Sequence, residues 1–327
     1  MTPNLPLVSI LIPTHNRRHL IERAILSVLQ QNYPHWELHI IDDGSTDDTW
    51  SYLLSYLPSW KRQIQSFGRY EKSIQLHQTE HRGVSATRNF GIEKSRGEWI
   101  ALLDSDDEWY PEKLKRQIQF HKDHPEFLFS QTKEVWNKKG NLQEPKGKYQ
   151  KLSGRFLKES LSICMVTCSS FMAHKQTWES IGFFREEMRT CEDYDLWNRI
   201  LLRGYSIGLL DENLLVRYGG HDDQLSNQFQ AIERFRLYSL LSTANELNWN
   251  SGKLKEWNPE NQEENKEDRN PKLLLRDAIL NRLDTLIQGR EKRGKEVQFL
   301  YHYRSLFLEN KPIHQKELLT LLDDRLF

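Results

Sequence analysis

The sequence predicts an α/β protein with a mostly parallel central sheet flanked by helices and a C-terminal helical extension. Three observations carry this. Through the first third of the 327 residues, short apolar β-rich runs alternate with apolar positions at helical spacing. The segments just after three of those runs are polar, and two are acidic, where open α/β sheets bind ligands. Beyond Phe229 the pattern is helical only.

The elements follow in order. Leu7–Ile12 is a strand stopped by Pro13. Leu20, Ile21, Ala24, Ile25, Val28 and Leu29 mark a helix that ends near Tyr33-Pro34. Trp36–Ile41 is the next strand and runs into Asp42-Asp43-Gly44-Ser45. Thr46-Asp47-Asp48 offers capping chemistry for a helix carrying Tyr52, Leu53, Leu54 and Leu57. Pro58–Ser73 reads as a polar loop, Ile74–His77 as a third strand, Val84–Lys94 as a helix and Trp99–Leu103 as a fourth strand. Pro111–His121 is a helix with proline at its start. In the mixed middle region, Phe127–Val135 and Ser169–His174 suit strands and Glu192–Leu202 a helix. Ser206–Leu210 and Leu214–Tyr218 read as two short strands before Gly219-Gly220. Asn258–Pro271 is polar and bounded by prolines, a linker by composition. After it, Leu275, Ile279, Leu283 and Leu286 form one helix face that must be buried, and packing within the chain is favoured; Val297–Leu308 suggests another helix.

Composition narrows the function. Lys+Arg and Asp+Glu are 46 each, so the formal net charge is zero and gives no electrostatic case for nucleic acid. Cys164 and Cys168 lack CxxC spacing and Cys191 stands apart, as expected of incidental thiols in a reducing compartment. The N-terminal apolar run has no basic region before it and contains Pro13, unlike a signal peptide. No stretch has the roughly 18 apolar residues of a spanning helix. The expected location is cytoplasmic, with the inner face of the membrane left open. No GxxxxGK[ST] or GxGxxG phosphate cradle occurs.

Asp104-Ser105-Asp106 directly follows the strand Trp99–Leu103. Two carboxylates one residue apart can hold a hard divalent cation beside phosphates, or can be a solvated turn with Asp107. Asp42-Asp43 and Thr14 follow neighbouring strands, so several acids gather at one sheet edge without basic partners nearby in sequence. That gathering costs repulsion unless a cation or a hydrogen-bonding ligand compensates. Glu192-Asp193 suits a helix N-terminus as well as chemistry. Arg88 and Asn89 suit a helix surface, Trp197 a core, and His221 a loop. The pairs His15/His19, His35/His39 and His77/His81 have i,i+4 spacing, but Pro34 and the strand patterns break the single helix that zinc would want.

Five of these segments together resemble family 2 glycosyltransferases. Ile12-Pro13-Thr14-His15-Asn16-Arg17 is similar to their opening motif, and Asp42-Asp43-Gly44-Ser45-Thr46-Asp47 to their acidic turn. Gly83–Asn89 followed by Gly97-Glu98-Trp99-Ile100 resembles the approach to their DxD motif, which Asp104-Ser105-Asp106 matches. Glu192–Trp197 resembles their later ED motif. The match keeps its order over roughly residues 7–222. The resemblance implies a glycosyltransferase A-type fold and a nucleotide-sugar donor, with a saccharide or lipid-linked saccharide as acceptor. It implies that Asp43, or Asp42 in a slipped register, binds the base, that Pro13 and Thr14 frame base and ribose, and that Arg88 belongs to the nucleotide site. Asp106 would ligate Mn²⁺ or Mg²⁺, Asp104 the ribose or the metal's water shell, and His221 the metal or diphosphate. Asp193 would be the general base, with Glu192 beside it.

The expected division is a catalytic domain over 1–228, a helical connection over 229–257, a linker over 258–271 and a small helical region over 272–327. Two rivals stand beside the enzyme reading. A nucleotidyltransferase would want a glycine-rich basic loop, and Pro13–Arg18 has no glycine. A non-catalytic sugar-nucleotide sensor would not need intact DxD and ED motifs.

Overall fold

The computed structural model describes residues 5–64, 70–219, 232–247 and 270–327. Two compact units emerge. One is drawn from Met1–Gly154, Met165–Arg189 and Ser206–His221, the other from Arg155–Cys164, Thr190–Tyr205 and Asp222–Phe327. No helix among the described residues is long and apolar enough to cross a membrane.

The first unit holds the sheet. Its strands are β1 (Val8–Thr14), β2 (Trp36–Asp43), β3 (Lys72–Thr79), β4 (Trp99–Leu102), β5 (Glu108–Trp109), β6 (Phe129–Lys138), β7 (Asn141–Gln143), β8 (Met172–His174) and β9 (Gly208–Tyr218). The order is β3-β2-β1-β4-β8-β6-β9-β5, with β7 beside β6. β3, β2, β1 and β4 are mutually parallel, as the alternating first third predicts. The remainder is mixed: β8 runs antiparallel to β4 and β6, while β9 is parallel to β6. The order places a topological switch point at β1, where ligands bind in such sheets.

Helices α1 (Ile21–Leu29), α2 (Thr49–Gln63), α3 (Val84–Lys94) and α4 (Lys113–Asp123) connect these strands. Val8, Ile10 and Ile12 of β1 share a buried cluster with Ile21, Ala24, Ile25 and Val28 of α1 and with Leu114 and Ile118 of α4. Leu11 and Ile41 face the other way, onto α3, where a Cβ at Gly91 would lie 3.1 Å from both side chains. Alternate residues therefore serve opposite faces, and each face is covered by helix.

Three expectations are corrected. β1 does not stop at Pro13 but continues through it to Thr14, paired with β2. Pairing with β4 ends at Leu11, whose carbonyl accepts the Leu103 amide, so the donor that proline lacks would point past the end of β4. Nor does a loop begin at Pro58. α2 runs through it to Gln63, held by Tyr52, Tyr56 and Trp60 at i,i+4, with ring centroids 4.5 and 6.0 Å apart. The two strands expected around Asn213 are one, β9, whose register against β6 skips Asp211 and Glu212. Those two carboxylates pair instead with Lys133 and Arg116.

The second unit is helical: α5 (Leu157–Ser162), α7 (Glu192–Leu202), α8 (Glu233–Glu246), α9 (Pro271–Glu291), α10 (Gln298–Leu308) and α11 (Gln315–Leu318), while α6 (Thr177–Ile181) belongs to the first. Leu275, Ile279, Leu283 and Leu286 are buried as one stripe, with α9 packed on α8, α5 and α10. The stripe is thus covered within the chain, as favoured. α5 and α7 share this unit with the C-terminal helices. Residues 258–269 of the expected linker lie outside the described residues.

Candidate functional site

In the first unit, the loops after β1, β2 and β4 carry the expected nucleotide-site residues. Pro13 and Thr14 end β1, and Thr14 is buried. The β1 and β2 loops are stitched together. Asn16, at φ 52°, donates its amide to Ser45 Oγ at 2.8 Å and accepts the Thr46 and Asp47 amides on its side-chain oxygen. Gly44, at φ +64°, permits the turn, because a Cβ there would lie 2.8 Å from the His81 amide nitrogen.

The paired acids of β2 separate by role. Asp42 is fully buried and turns inward: its carboxylate accepts the Ser45 hydroxyl at 2.5 Å, the Ser45 amide at 3.2 Å and Gln78 Nε2 at 3.3 Å. Asp43 holds the approach to α3. Its Oδ1 accepts the Arg82 amide at 2.9 Å, and its Oδ2 accepts the Gly83 amide and His81 Nδ1, both at 2.8 Å. A carboxylate offers about four lone-pair sites, so this leaves Asp43 one for a further donor. His15 Nδ1 donates to the Asp43 carbonyl at 2.7 Å, and its ring stacks on His81 with centroids 4.0 Å apart.

His15, Asp43 and His81 form a group whose ligand atoms lie within 4.8 Å of one another, close enough for a metal ion. Each is already engaged in the hydrogen bonds above, and Asn16 Nδ2 donates to His15 Nε2 at 3.1 Å. Sequence spacing missed this trio. It paired His15 with His19 and His77 with His81, whereas the fold pairs His15 with His81 and His39 with His77, whose ring nitrogens are 3.1 Å apart.

After β4, Asp104 and Asp106 are half-buried and Asp107 is buried. Arg88, on α3, places Nη2 2.7 Å from Asp104 Oδ1. The acids thus have partners that lie further off in sequence: Arg88 of α3 reaches Asp104 from 16 residues before it, and backbone amides with His81 serve Asp43. Arg23 donates to the Asp106 carbonyl at 2.5 Å and fixes the turn. Asp107 accepts the Ser169 hydroxyl at 2.6 Å and the Tyr218 amide at 3.0 Å, and the Asp104 amide donates to the same Ser169 oxygen. Burial, then the charges of Asp106 and Asp104, push the Asp107 carboxyl well above the usual carboxylate range.

In the second unit, α7 opens with Glu192, Asp193 and Asp195, three acids at the positive end of a helix. Glu192 is buried, whereas Asp193 is half-exposed. Asp193 Oδ1 accepts the Tyr194 amide at 2.6 Å, and Oδ2 accepts the Cys164 thiol at 3.3 Å. Asp195 is spent on Arg199 at 2.7 Å, and Trp197 is fully buried. Cys191 enters the helix at φ 60°, a strained value for a side chain with a Cβ. Burial, then Asp193, pushes its thiol up to about 12. His221 lies outside the described residues.

Comparison with known proteins places this arrangement. The description "Glycosyl transferase family 2" matches residues 9–176. An uncharacterized glycosyltransferase of Rickettsia felis is 33% identical over 217 residues, 65% of this chain and 33% of that protein. This chain thus spans about a third of that relative's length. WcaA of Escherichia coli, named for colanic acid biosynthesis, is 30% identical over 61% of this chain and 67% of its own length. TuaG of Bacillus subtilis, named for teichuronic acid biosynthesis, is 37% identical over 37% of this chain and 44% of its own. In structure, residues 1–349 of S. aureus TarS, solved with UDP-GlcNAc, superpose with a TM-score of 0.62 at 20% identity. That match covers 84% of this chain and 72% of the other, and the likeness is one of fold. The mixed sheet, the loops at its parallel edge and the matched span agree: the chain belongs to glycosyl transferase family 2.

Proposed function

We propose that this chain transfers a sugar, with inversion, from a UDP-linked donor to an acceptor hydroxyl during assembly of a surface polysaccharide or glycoconjugate. The observation that carries the reading is the convergence of Thr14, Asp43 and Asp104–Asp106 on the ends of adjacent parallel strands, with Arg88 tied into the last of them. The relatives named for teichuronic and colanic acid supply the setting, and the UDP-GlcNAc bound to TarS supplies the donor class.

In this reading the remaining acceptor site of Asp43 takes the uracil N3–H, while Pro13 and Thr14 line base and ribose. Asp42 shapes the turn. Asp104, half-neutralised by Arg88, faces the ribose. The hard oxygen donors of Asp106 and Asp104 suit Mg²⁺ or Mn²⁺. A cation bound there would stabilise the charge that develops on the departing diphosphate. Asp193 accepts the proton of the attacking hydroxyl, and a base on one face with the diphosphate leaving from the other gives a single displacement. His221 remains assigned to metal or diphosphate contact.

The test is donor hydrolysis and UDP calorimetry with Mn²⁺, with Mg²⁺ and after chelation. Asp106→Asn should nearly abolish turnover and weaken UDP binding only when metal is present. Full activity after exhaustive chelation would refute the metal assignment, and no binding of any uridine nucleotide would refute the donor class.

A further inference from the structure

The two donors that hold Asp193 both trace to one side chain far along the sequence. Cys164 follows the end of α5 by two residues, and the last carbonyls of a helix have no partner within it. Arg282, on α9, takes two of them: its Nη2 lies 2.5 Å from the Leu161 carbonyl and 3.2 Å from that of Ser162. The same nitrogen is 3.1 Å from the Tyr194 hydroxyl, which itself donates to the Leu161 carbonyl at 2.7 Å. Nη1 pairs with the Glu233 carboxylate at the start of α8. Glu233 also takes Arg236 at 2.8 Å, and both guanidinium groups lie over the Tyr194 ring at 5.2 and 5.5 Å. Arg282 is 7% exposed and Tyr194 1%.

We propose that Arg282 is a positioning residue for Asp193. By fixing the end of α5 and the Tyr194 side chain together, it holds the Cys164 thiol and the Tyr194 amide where they fix one orientation of the Asp193 carboxylate. The inference rests on the reading of Asp193 as the base. It gives α9 a part in turnover that acts through Asp193. The consequence is large because a proton acceptor displaced by about 1 Å can lose on the order of 10²-fold in rate.

The test uses the full chain, hydrolysis of UDP-N-acetylglucosamine, UDP calorimetry and alkylation of Cys164 followed by mass spectrometry. Arg282→Met should lower kcat by about 10- to 10²-fold, with KM and UDP affinity within about twofold. It should also raise the alkylation rate of Cys164 severalfold. Arg282→Lys should recover part of both, since an ammonium can still cap Leu161 but cannot also bridge Tyr194 and Glu233. Added to Asp193→Asn, Arg282→Met should cost less than about twofold more. Wild-type kcat in Arg282→Met alongside a deficient Asp193→Asn overturns the inference and leaves the base reading intact, as does full additivity. Wild-type kcat in Asp193→Asn overturns the base reading itself. Should Arg282→Met fail to fold, Arg282→Lys and Tyr194→Phe carry the test, and wild-type kcat in both overturns it. Unchanged Cys164 alkylation across these variants overturns it independently of turnover.

Discussion

Arg88 and Asp104 form an asymmetric ion pair. The guanidinium is 4% exposed and lies 2.7 Å from a carboxylate that is 32% exposed. The two halves should therefore differ in cost. Asp104→Leu takes the carboxylate from a desolvated cation and should destabilise by about 3–5 kcal/mol, the range for breaking a buried pair from one side. Arg88→Met leaves behind a carboxylate that water reaches and should cost about 1–3 kcal/mol. Urea denaturation of both variants measures this, and equal losses would mean that Arg88 is not held by Asp104.

The Asp42 and Asp43 geometries predict different phenotypes for two adjacent acids. Asp42 spends its carboxylate on Ser45 and Gln78, so Asp42→Ala should lower stability first. Asp43 keeps one acceptor position, so Asp43→Ala should weaken UDP binding by about 1–3 kcal/mol, the range for a hydrogen bond to a charged group. It should also loosen the turn at Arg82 and Gly83. Calorimetry and thermal melts on both variants separate the effects. A loss of UDP affinity in Asp42→Ala alone would move the base-binding role to Asp42.

Lys113 gives a pH prediction. It is fully buried, donates to Gln117 Oε1 at 2.6 Å and lies 4.3 Å from the Trp109 ring centroid. Burial lowers its pKa from 10.5 to about 7. Between those values the unfolded chain keeps the proton while the folded chain has released it, so stability rises with pH across that window. Below about pH 7 both states are charged and the penalty is constant. Lys113→Met should flatten the rise, and the difference between variant and wild type in urea titrations at about pH 7.5 and 9.5 isolates the residue. A wild-type slope retained in the variant would assign the rise to other groups.

The parallel half of the sheet was legible because β1 and β4 are mostly apolar runs ended by polar turns, with helical spacing between the strands, and α3 falls at the expected Val84–Lys94. The misread places share a cause: local signals lost to packing. Pro58 stays helical because Tyr52 and Trp60 are buried on either side of it, and Asn213 stays in β9 because a bulge absorbs two acids. The site was legible as motifs but not as contacts. Nothing in spacing joins Arg88 to Asp104, His15 to His81, or Arg282 to Tyr194, because those pairs are set by which elements pack together.

The adjacent acids at the start of α7 offer the sharpest kinetic test. Glu192 is buried, while Asp193 is half-exposed and has both oxygens oriented by hydrogen-bond donors. Asp193 combines access with orientation, which is why it is the residue proposed as the base. Asp193→Asn keeps size and shape but cannot take a proton at neutral pH. Its kcat should fall by about 10²–10⁴-fold, the usual worth of general-base assistance. UDP affinity should hold within about twofold, since the interaction matters in the transition state. Glu192→Gln should cost less in kcat and more in stability, because it changes a buried group at the positive end of a helix. Steady-state kinetics with UDP-N-acetylglucosamine and melts on both variants decide the order. The reverse ranking would make Glu192 the base and leave Asp193 to shape the helix start.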